Sequence, residues 1–294
     1  MISGIVNVYK EKGFTSFDVV AKMRGIYHQK KIGHTGTLDP DAEGVLPVCL
    51  GKATKVCDLL TDKDKEYEAV LLLGQDTDTQ DISGTVLSSA PVEVSEDAVR
   101  EAILSFVGEY NQIPPMYSAL KVQGQKLCDL ARKGITVERQ PRRVHIYDIQ
   151  ILEMDLPRVR ILVTCSKGTY IRTLCKDVGD KLGCYGCMER LLRTRVAEFS
   201  LENAHRLCEI EKNPEAFVQP VDVVFGQYEK RIASRDARKY IENGNRISGI
   251  YMLNRPESAD HGTFRIYDES DSFLGLYEYL VDTDEYKPIK LFME

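Results

Sequence analysis

Apolar and polar positions alternate at the start of the chain, where GIVNVYK at 4–10 predicts a strand. Thr15 then suits the N-cap of a helix that would carry Val19, Val20, Met23, Ile26 and Tyr27 at helical spacing. YEAVLLLG reads as a buried strand, and the polar run 76–84 as a turn leading to a second strand, TVLSS. Ser95 opens a further helix, with Glu96 and Asp97 in its first turn and Gly108 near its end. After the break at Pro114 and Pro115, LCDLARKG predicts a short helix closed by Gly134. Two long strands, RRVHIYDIQILEM and VRILVTCS, precede a helix over YIRTLCKDVGDKLG. Strands and helices mix without regular βαβ alternation, which predicts an α+β fold. The pattern changes near Phe225, so the expected division is 1–224 and 225–294, the second part small, with one helix over 234–243 and strands GTFRIYD and FLGLYEYL.

At 294 residues the chain can bury a sizeable core, and 43% apolar with 29% charged residues is ordinary for a globular protein. No apolar run approaches the ~18 residues that span a bilayer, and MISGIVNVYKEKG has no secretory core, so a cytoplasmic protein with no membrane partner is expected. Eight scattered cysteines are then expected as reduced thiols. The net charge of -6 conceals an asymmetry. Residues 120–147 hold seven basic and two acidic side chains, and residues 158–195 hold nine against three. Two basic stretches on an acidic protein suit one polyanion-binding face, although solvated surface charge would read the same way.

Several motifs point nowhere. DTDTQD at 76–81 lacks the glycine and glutamate of a calcium loop and is expected to be a solvated hairpin turn. Cys184 and Cys187 have the spacing of half a zinc site, but no second close pair follows, so no metal is expected. GKATK lacks the upstream glycine of a phosphate-binding loop.

GHTGTLDPDAEGVLPVCLG at 33–51 differs. Asp39-Pro40 forms turns on its own account, yet its neighbours suit a carboxylate held for chemistry. His34 can stack on a base or bond a phosphate. Gly33, Gly36 and Gly44 let a large substrate approach the backbone. The apolar run Val45 to Leu50 can anchor the loop in the core.

This segment, extended to GHTGTLDPDAEGVLPVCLGKATK, resembles almost position by position the catalytic segment of the TruB-type tRNA pseudouridine-55 synthases. GIVNVYKEKGFTSFDVV, KEYEAVLLLGQDTDTQDISG, IPPMYSALKVQGQKLCDLARKG and CSKGTYIRTLCKDVGDKLG join it in the family's order, so the resemblance covers about residues 3–200. It implies a catalytic fold with a mixed, largely antiparallel sheet and flanking helices, plus a small C-terminal PUA-like β-rich domain that binds RNA. It implies isomerisation of uridine-55 in the T-loop of tRNA, with Asp39 as the catalytic aspartate and Tyr67 against the target base. Tyr170 and Arg172 would support the site, and His34 would hold the opened RNA loop. Three places depart from the family: Glu11 where proline is usual, CYGCMERLLRT in place of the usual histidine-containing approach to a Leu-Arg-Arg-Thr motif, and within it Leu192 where arginine is usual.

The implied reaction cuts the N1–C1′ bond, turns the base and rejoins it through C5. Nothing is gained or lost, so no cofactor is expected; the protein is expected as a monomer that acts on the T-arm stem-loop of tRNA, not on DNA. An arginine beside the carboxylate would favour its charged form. Stacking on an aromatic would offset part of the cost of unstacking the uridine. Two other classes share some of these features: a non-catalytic RNA-binding or RNA-folding protein, and a guide-RNA-dependent synthase subunit.

Overall fold

The computed structural model describes residues 1–254 and 261–293. The chain divides into two compact units, one of Val6–Val48 and Val56–Phe217, the other of Met1–Ile5, Cys49–Lys55 and Val218–Glu294.

The larger unit is built on a mixed sheet. Its main path runs Gly4–Lys10, Glu43–Leu50, Gly186–Val196, Lys65–Leu73, Arg158–Cys165, Arg142–Asp155 and Gly108–Gln112. From Gly186–Val196 to the Gly108–Gln112 edge every pairing is antiparallel. The Glu43–Leu50 strand joins in parallel, with Leu192 opposite Glu43 and Arg193 opposite Gly44. Helix Ser16–Tyr27 starts at Thr15 in a capping box with Asp18, and buries Val19, Val20, Met23 and Tyr27. Helix Glu96–Leu104 is capped by Ser95, and helix Ile171–Leu182 ends at Gly183 in the left-handed region, φ 73°. Ile171, Leu174, Cys175 and Val178 of that last helix join one core with Tyr67, Ala69, Leu71, Val163 and Leu191 of the sheet. The sheet thus places the start of helix Ile171–Leu182 over the strand that carries Tyr67.

In the smaller unit, a five-stranded sheet runs Glu229–Ile232, Gly262–Tyr267, Phe273–Leu280, Glu285–Leu291 and Ile247–Ser248. Its core gathers Phe264, Ile266, Tyr277, Tyr279 and Tyr286. The helix expected over 234–243 is a 3-10 turn, Arg235–Ala237, followed by the short helix Arg238–Glu242. The sequence pattern has no marker for the Gly186–Val196 strand, which is central to the larger sheet. Its charges, Glu189, Arg190, Arg193 and Arg195, interrupt the apolar run expected of a central strand. No helix among the described residues is long and apolar enough to cross a membrane.

Candidate active site

Asp39 rises from a loop pinned on both shoulders. On one side, the Leu38 amide donates to Ser16 Oγ at 2.9 Å, at the first turn of helix Ser16–Tyr27. On the other, the Gly13 amide donates to the Pro40 carbonyl at 2.9 Å, and Lys10 Nζ donates to the carbonyls of Pro40 and Ala42 at 3.1 and 2.6 Å. Leu38 and Ala42 are buried in the main core. Gly44 has φ +106°, and a Cβ there would lie 2.2 Å from the Arg193 carbonyl oxygen. Only glycine lets the strand after the loop run so close to Gly186–Val196.

Above this loop, helix Ile171–Leu182 delivers Arg172, which is 5% exposed. Its Nε lies 3.0 Å from Asp39 Oδ2, and its Nη2 donates to Oδ1 at 3.3 Å. The remaining fork is also engaged, Nη1 donating to the Thr79 carbonyl at 2.9 Å and Nη2 to the Tyr117 carbonyl at 2.8 Å. Asp81 Oδ2 stands 3.8 Å from Nη1. Burial raises the Asp39 pKa above the ordinary carboxylate value; Arg172 and Lys10 pull it down, and Asp81 pushes it up. The arginine therefore acts in the direction expected from the sequence, but loss of water outweighs it.

Asp39, Arg172, Tyr67 and Tyr170 line one cleft of about 270 Å³, together with Lys65 and Arg193. Tyr67 lies directly opposite Arg193 on neighbouring antiparallel strands, and burial raises its phenol pKa. Tyr170 stands at the N-cap of the helix, and its side chain makes no capping bond. Its backbone is held instead by Gln112, whose Oε1 accepts from the Tyr170 amide at 2.7 Å and whose Nε2 donates to the Tyr170 carbonyl at 2.9 Å. His34 does not line the cleft. Its Nδ1 accepts from the Gly36 amide at 3.2 Å, and burial lowers its pKa, favouring the neutral ring.

The sequence pattern did not mark Asp81, Thr79, Lys65, Gln112 or Arg193. DTDTQD does form a hairpin turn, between Gln75–Thr77 and Val86–Ser89. It is not wholly solvated, because Thr79 and Asp81 turn inward to Arg172. Leu192 points to the opposite sheet face from Leu191 and Arg193 and is absent from the cleft lining, so the departure at 192 leaves the cleft itself intact. Glu11 is used in an ion pair with Arg206 at 2.5 Å.

The basic stretch 158–195 is largely consumed within the protein: Arg158 pairs with Glu189, Arg160 with Glu68 and Glu153, Lys176 with Asp180, and Arg195 with Glu66. In the other stretch, Lys121, Lys126, Lys133 and Arg142 are exposed. A larger cleft of about 630 Å³ lies in the smaller unit, where Arg235 and Arg238 face Glu242, Asp268 and Glu269. Phe273 and Phe292 share its lining with those acids, but Arg235 and Arg238 are exposed, so no acid there is gripped by a buried arginine as Asp39 is. Cys184 and Cys187 are free thiols, and among the described residues no group of three metal-ligating side chains gathers.

A single acid gripped by a buried arginine stands beside two tyrosines in this cleft, and comparison with known proteins gives the family. Residues 24–171 match the model of the TruB family pseudouridylate synthase N-terminal domain, and residues 172–225 that of the tRNA pseudouridylate synthase B C-terminal domain. The chain belongs to the TruB family of pseudouridylate synthases. It is 52% identical to tRNA pseudouridine synthase B of Lachnoclostridium phytofermentans, over 99% of this chain and all of that one. It is 45% identical to the protein of the same name from Clostridium tetani, over 94% of this chain and 95% of that one. Among solved structures, it is similar to a chain of a Cbf5-Nop10-Gar1 complex, with 27% identity and a TM-score of 0.72 over 99% of this chain and 85% of that one. A chain of an H/ACA RNP bound to a substrate RNA containing 2'-deoxyuridine gives 25% identity and the same TM-score of 0.72, with 99% and 85% covered.

Proposed function

We propose that the protein isomerises uridine-55 in the T-loop of tRNA to pseudouridine, alone and without cofactor or guide RNA, with Asp39 as the essential carboxylate. The observation that carries this reading is the Asp39–Arg172 pair at the floor of a cleft that also holds Tyr67 and Tyr170. The N1–C1′ bond breaks, the uracil turns within the cleft, and a C1′–C5 bond forms while the C5 proton is lost and N1 gains one. Atoms and electrons balance within the substrate, so the protein must supply only a placed carboxylate, a surface for the loosened base and exclusion of water. Asp39 faces the sugar, Tyr67 lies against the base, Arg172 holds the acid in place and Tyr170 supports the site. His34, on the loop that leads to Asp39, contacts the opened RNA loop rather than the base.

Residues 1–224 carry the chemistry in this reading, and 225–294 form a small PUA-like RNA-binding domain, consistent with the five-stranded sheet there. Lys121, Lys126, Lys133 and Arg142 supply exposed positive charge for the tRNA backbone. The curated relatives, named for tRNA and matched over nearly their whole length, support a synthase acting on tRNA; in this reading it is a stand-alone cytoplasmic monomer rather than a guided subunit.

The test is incubation of the purified protein alone with unmodified tRNA, followed by mapping of pseudouridine. The wild type should modify position 55, and Asp39→Asn, nearly isosteric, should bind tRNA and leave it unmodified. Turnover by the asparagine variant at the wild-type rate would sink the assignment of Asp39. Binding without modification by the wild type would favour the RNA-folding alternative.

A further inference from the structure

Arg193 is 1% exposed and is among the largest fully buried side chains of the protein. Its strand neighbours Arg190 and Arg195 find carboxylates, Glu43 and Glu66. Arg193 has no such pair among the described residues. Its Nε donates to the Val45 carbonyl at 2.7 Å, and its Nη2 donates to the Gly36 carbonyl at 3.2 Å. Those two carbonyls stand on either side of Asp39 in the chain. One planar fork therefore ties the entry of the loop to its exit. The same residue is the cross-strand partner of Tyr67, and its guanidinium reaches the phenol.

A buried cation without a carboxylate is costly, and an apolar side chain of similar volume would satisfy packing alone more cheaply. Departures of this kind concentrate where a site needs them. We propose that Arg193 is a positioning residue for the reaction: it staples the two shoulders of the Asp39 loop and fixes the direction in which the Tyr67 hydroxyl points into the cleft. This rests on the reading of Asp39 and Tyr67 given above. The guanidinium can only donate, so the phenol oxygen accepts from it and keeps its own O–H for the cleft. Burial keeps that phenol protonated at neutral pH. Tyr67 then presents the loosened uracil with a hydrogen-bond donor as well as a ring face. Negative charge appears on the base as N1 leaves C1′, and an oriented donor meets it there.

The test uses the full-length protein with Arg193→Lys, Tyr67→Phe and the double variant, each measured for folding, tRNA affinity and single-turnover rate. Lysine keeps the charge but not the fork that reaches two carbonyls and a phenol. The lysine variant should fold and bind tRNA close to wild type, while its single-turnover rate falls about 100-fold, the scale expected from small misplacement of reacting groups. Tyr67→Phe should also lose rate with affinity kept, and the double variant should lose little beyond the worse single one, since both act through one arrangement. A folded lysine variant with wild-type rate, a loss seen only in affinity, or fully additive losses would overturn the proposal. Should Arg193→Lys not fold, Tyr67→Phe carries the test alone: lost rate at unchanged affinity supports it, and wild-type rate overturns it. Asp39→Asn in the same assay separates the two levels. If that variant is inactive while the others match wild type, only the role of Arg193 fails.

Discussion

Arg172 grips Asp39 side-on, with Nε 3.0 Å from Oδ2 and Nη2 3.3 Å from Oδ1, while the same guanidinium is locked to the carbonyls of Thr79 and Tyr117. The grip fixes the direction of the acid and opposes the rise in its pKa that burial causes. Because four contacts converge on one planar fork, no point charge can reproduce them.

Arg172→Lys should therefore lower the single-turnover rate by about 100-fold while changing tRNA affinity little. It should also move the acid limb of the pH–rate profile. Burial already raises the Asp39 pKa and Arg172 opposes that rise, so a looser cation leaves burial less opposed. The limb, where rate falls as Asp39 is protonated, should shift to higher pH. A limb that stays put, or moves to lower pH, would contradict the electrostatic part of this role.

The raised Asp39 pKa has a second consequence. A carboxyl whose folded pKa exceeds its unfolded value favours folding when protonated, and that contribution is lost as pH rises through the folded pKa. Near neutral pH the ionised acid thus works against the fold. Asp39→Asn, a neutral isostere, should melt at or above the wild-type temperature at pH 7 while losing activity. The difference should shrink as the pH falls below the ordinary carboxylate range. A markedly lower melting temperature at neutral pH would show that the Arg172 contact outweighs burial.

Gln112, 1% exposed on the edge strand, is the indirect support of this pair. Its amide satisfies both backbone groups of Tyr170, the residue that starts the helix bearing Arg172. Gln112→Met keeps the volume, orphans the Tyr170 amide and leaves the Tyr170 carbonyl only the Leu174 amide at 3.1 Å, which should cost about 1–3 kcal/mol. Denaturant unfolding measures that loss, and the turnover rate of the folded fraction should fall with it. Full stability in the methionine variant would mean that water or a shifted strand replaces the clamp.

The legible parts of this molecule were those with local signals. Thr15 and Ser95 announce helix starts through their own capping bonds. Asp39, Tyr67, Tyr170 and Arg172 lie in motifs dense enough to resemble the TruB family, and one cleft collects all four. What escaped depends on pairing between distant segments. The strand Gly186–Val196 carries Arg193 because its partners are Tyr67 on one side and Gly44 on the other, and neither contact leaves a periodic trace. Asp81 reads as a turn residue because its inward direction is set by Arg172, 91 positions later in the chain. Charge in the 158–195 stretch suggested a polyanion face, yet the sheet brings carboxylates beside Arg158, Arg160, Arg190 and Arg195, and helix Ile171–Leu182 pairs Lys176 with its own Asp180. Local composition cannot register partners supplied across a sheet.

Two lysines under the site give the last prediction. Lys10 is fully buried and Lys65 is 6% exposed, and burial lowers each pKa to about 8. Lys10 spends its protons on the carbonyls of Pro40 and Ala42, and Lys65 on those of Thr61 and Lys63 at 2.8 and 2.6 Å. Between about 8 and the ordinary 10.5 the unfolded chain holds protons that the folded chain has released. Stability should rise with pH across that window and be lost as pH falls through 8, at up to about 1.4 kcal/mol per pH unit for each lysine. Lys65→Met removes one of the two titrations at a residue whose hydrogen bonds go to Thr61 and Lys63 rather than to the Asp39 loop. Urea unfolding at several pH values from 8 upward should therefore show a shallower rise for the variant than for the wild type. Equal slopes would place the Lys65 ammonium in contact with water in the folded protein, and the cleft beside Tyr67 would then be wetter than its lining implies.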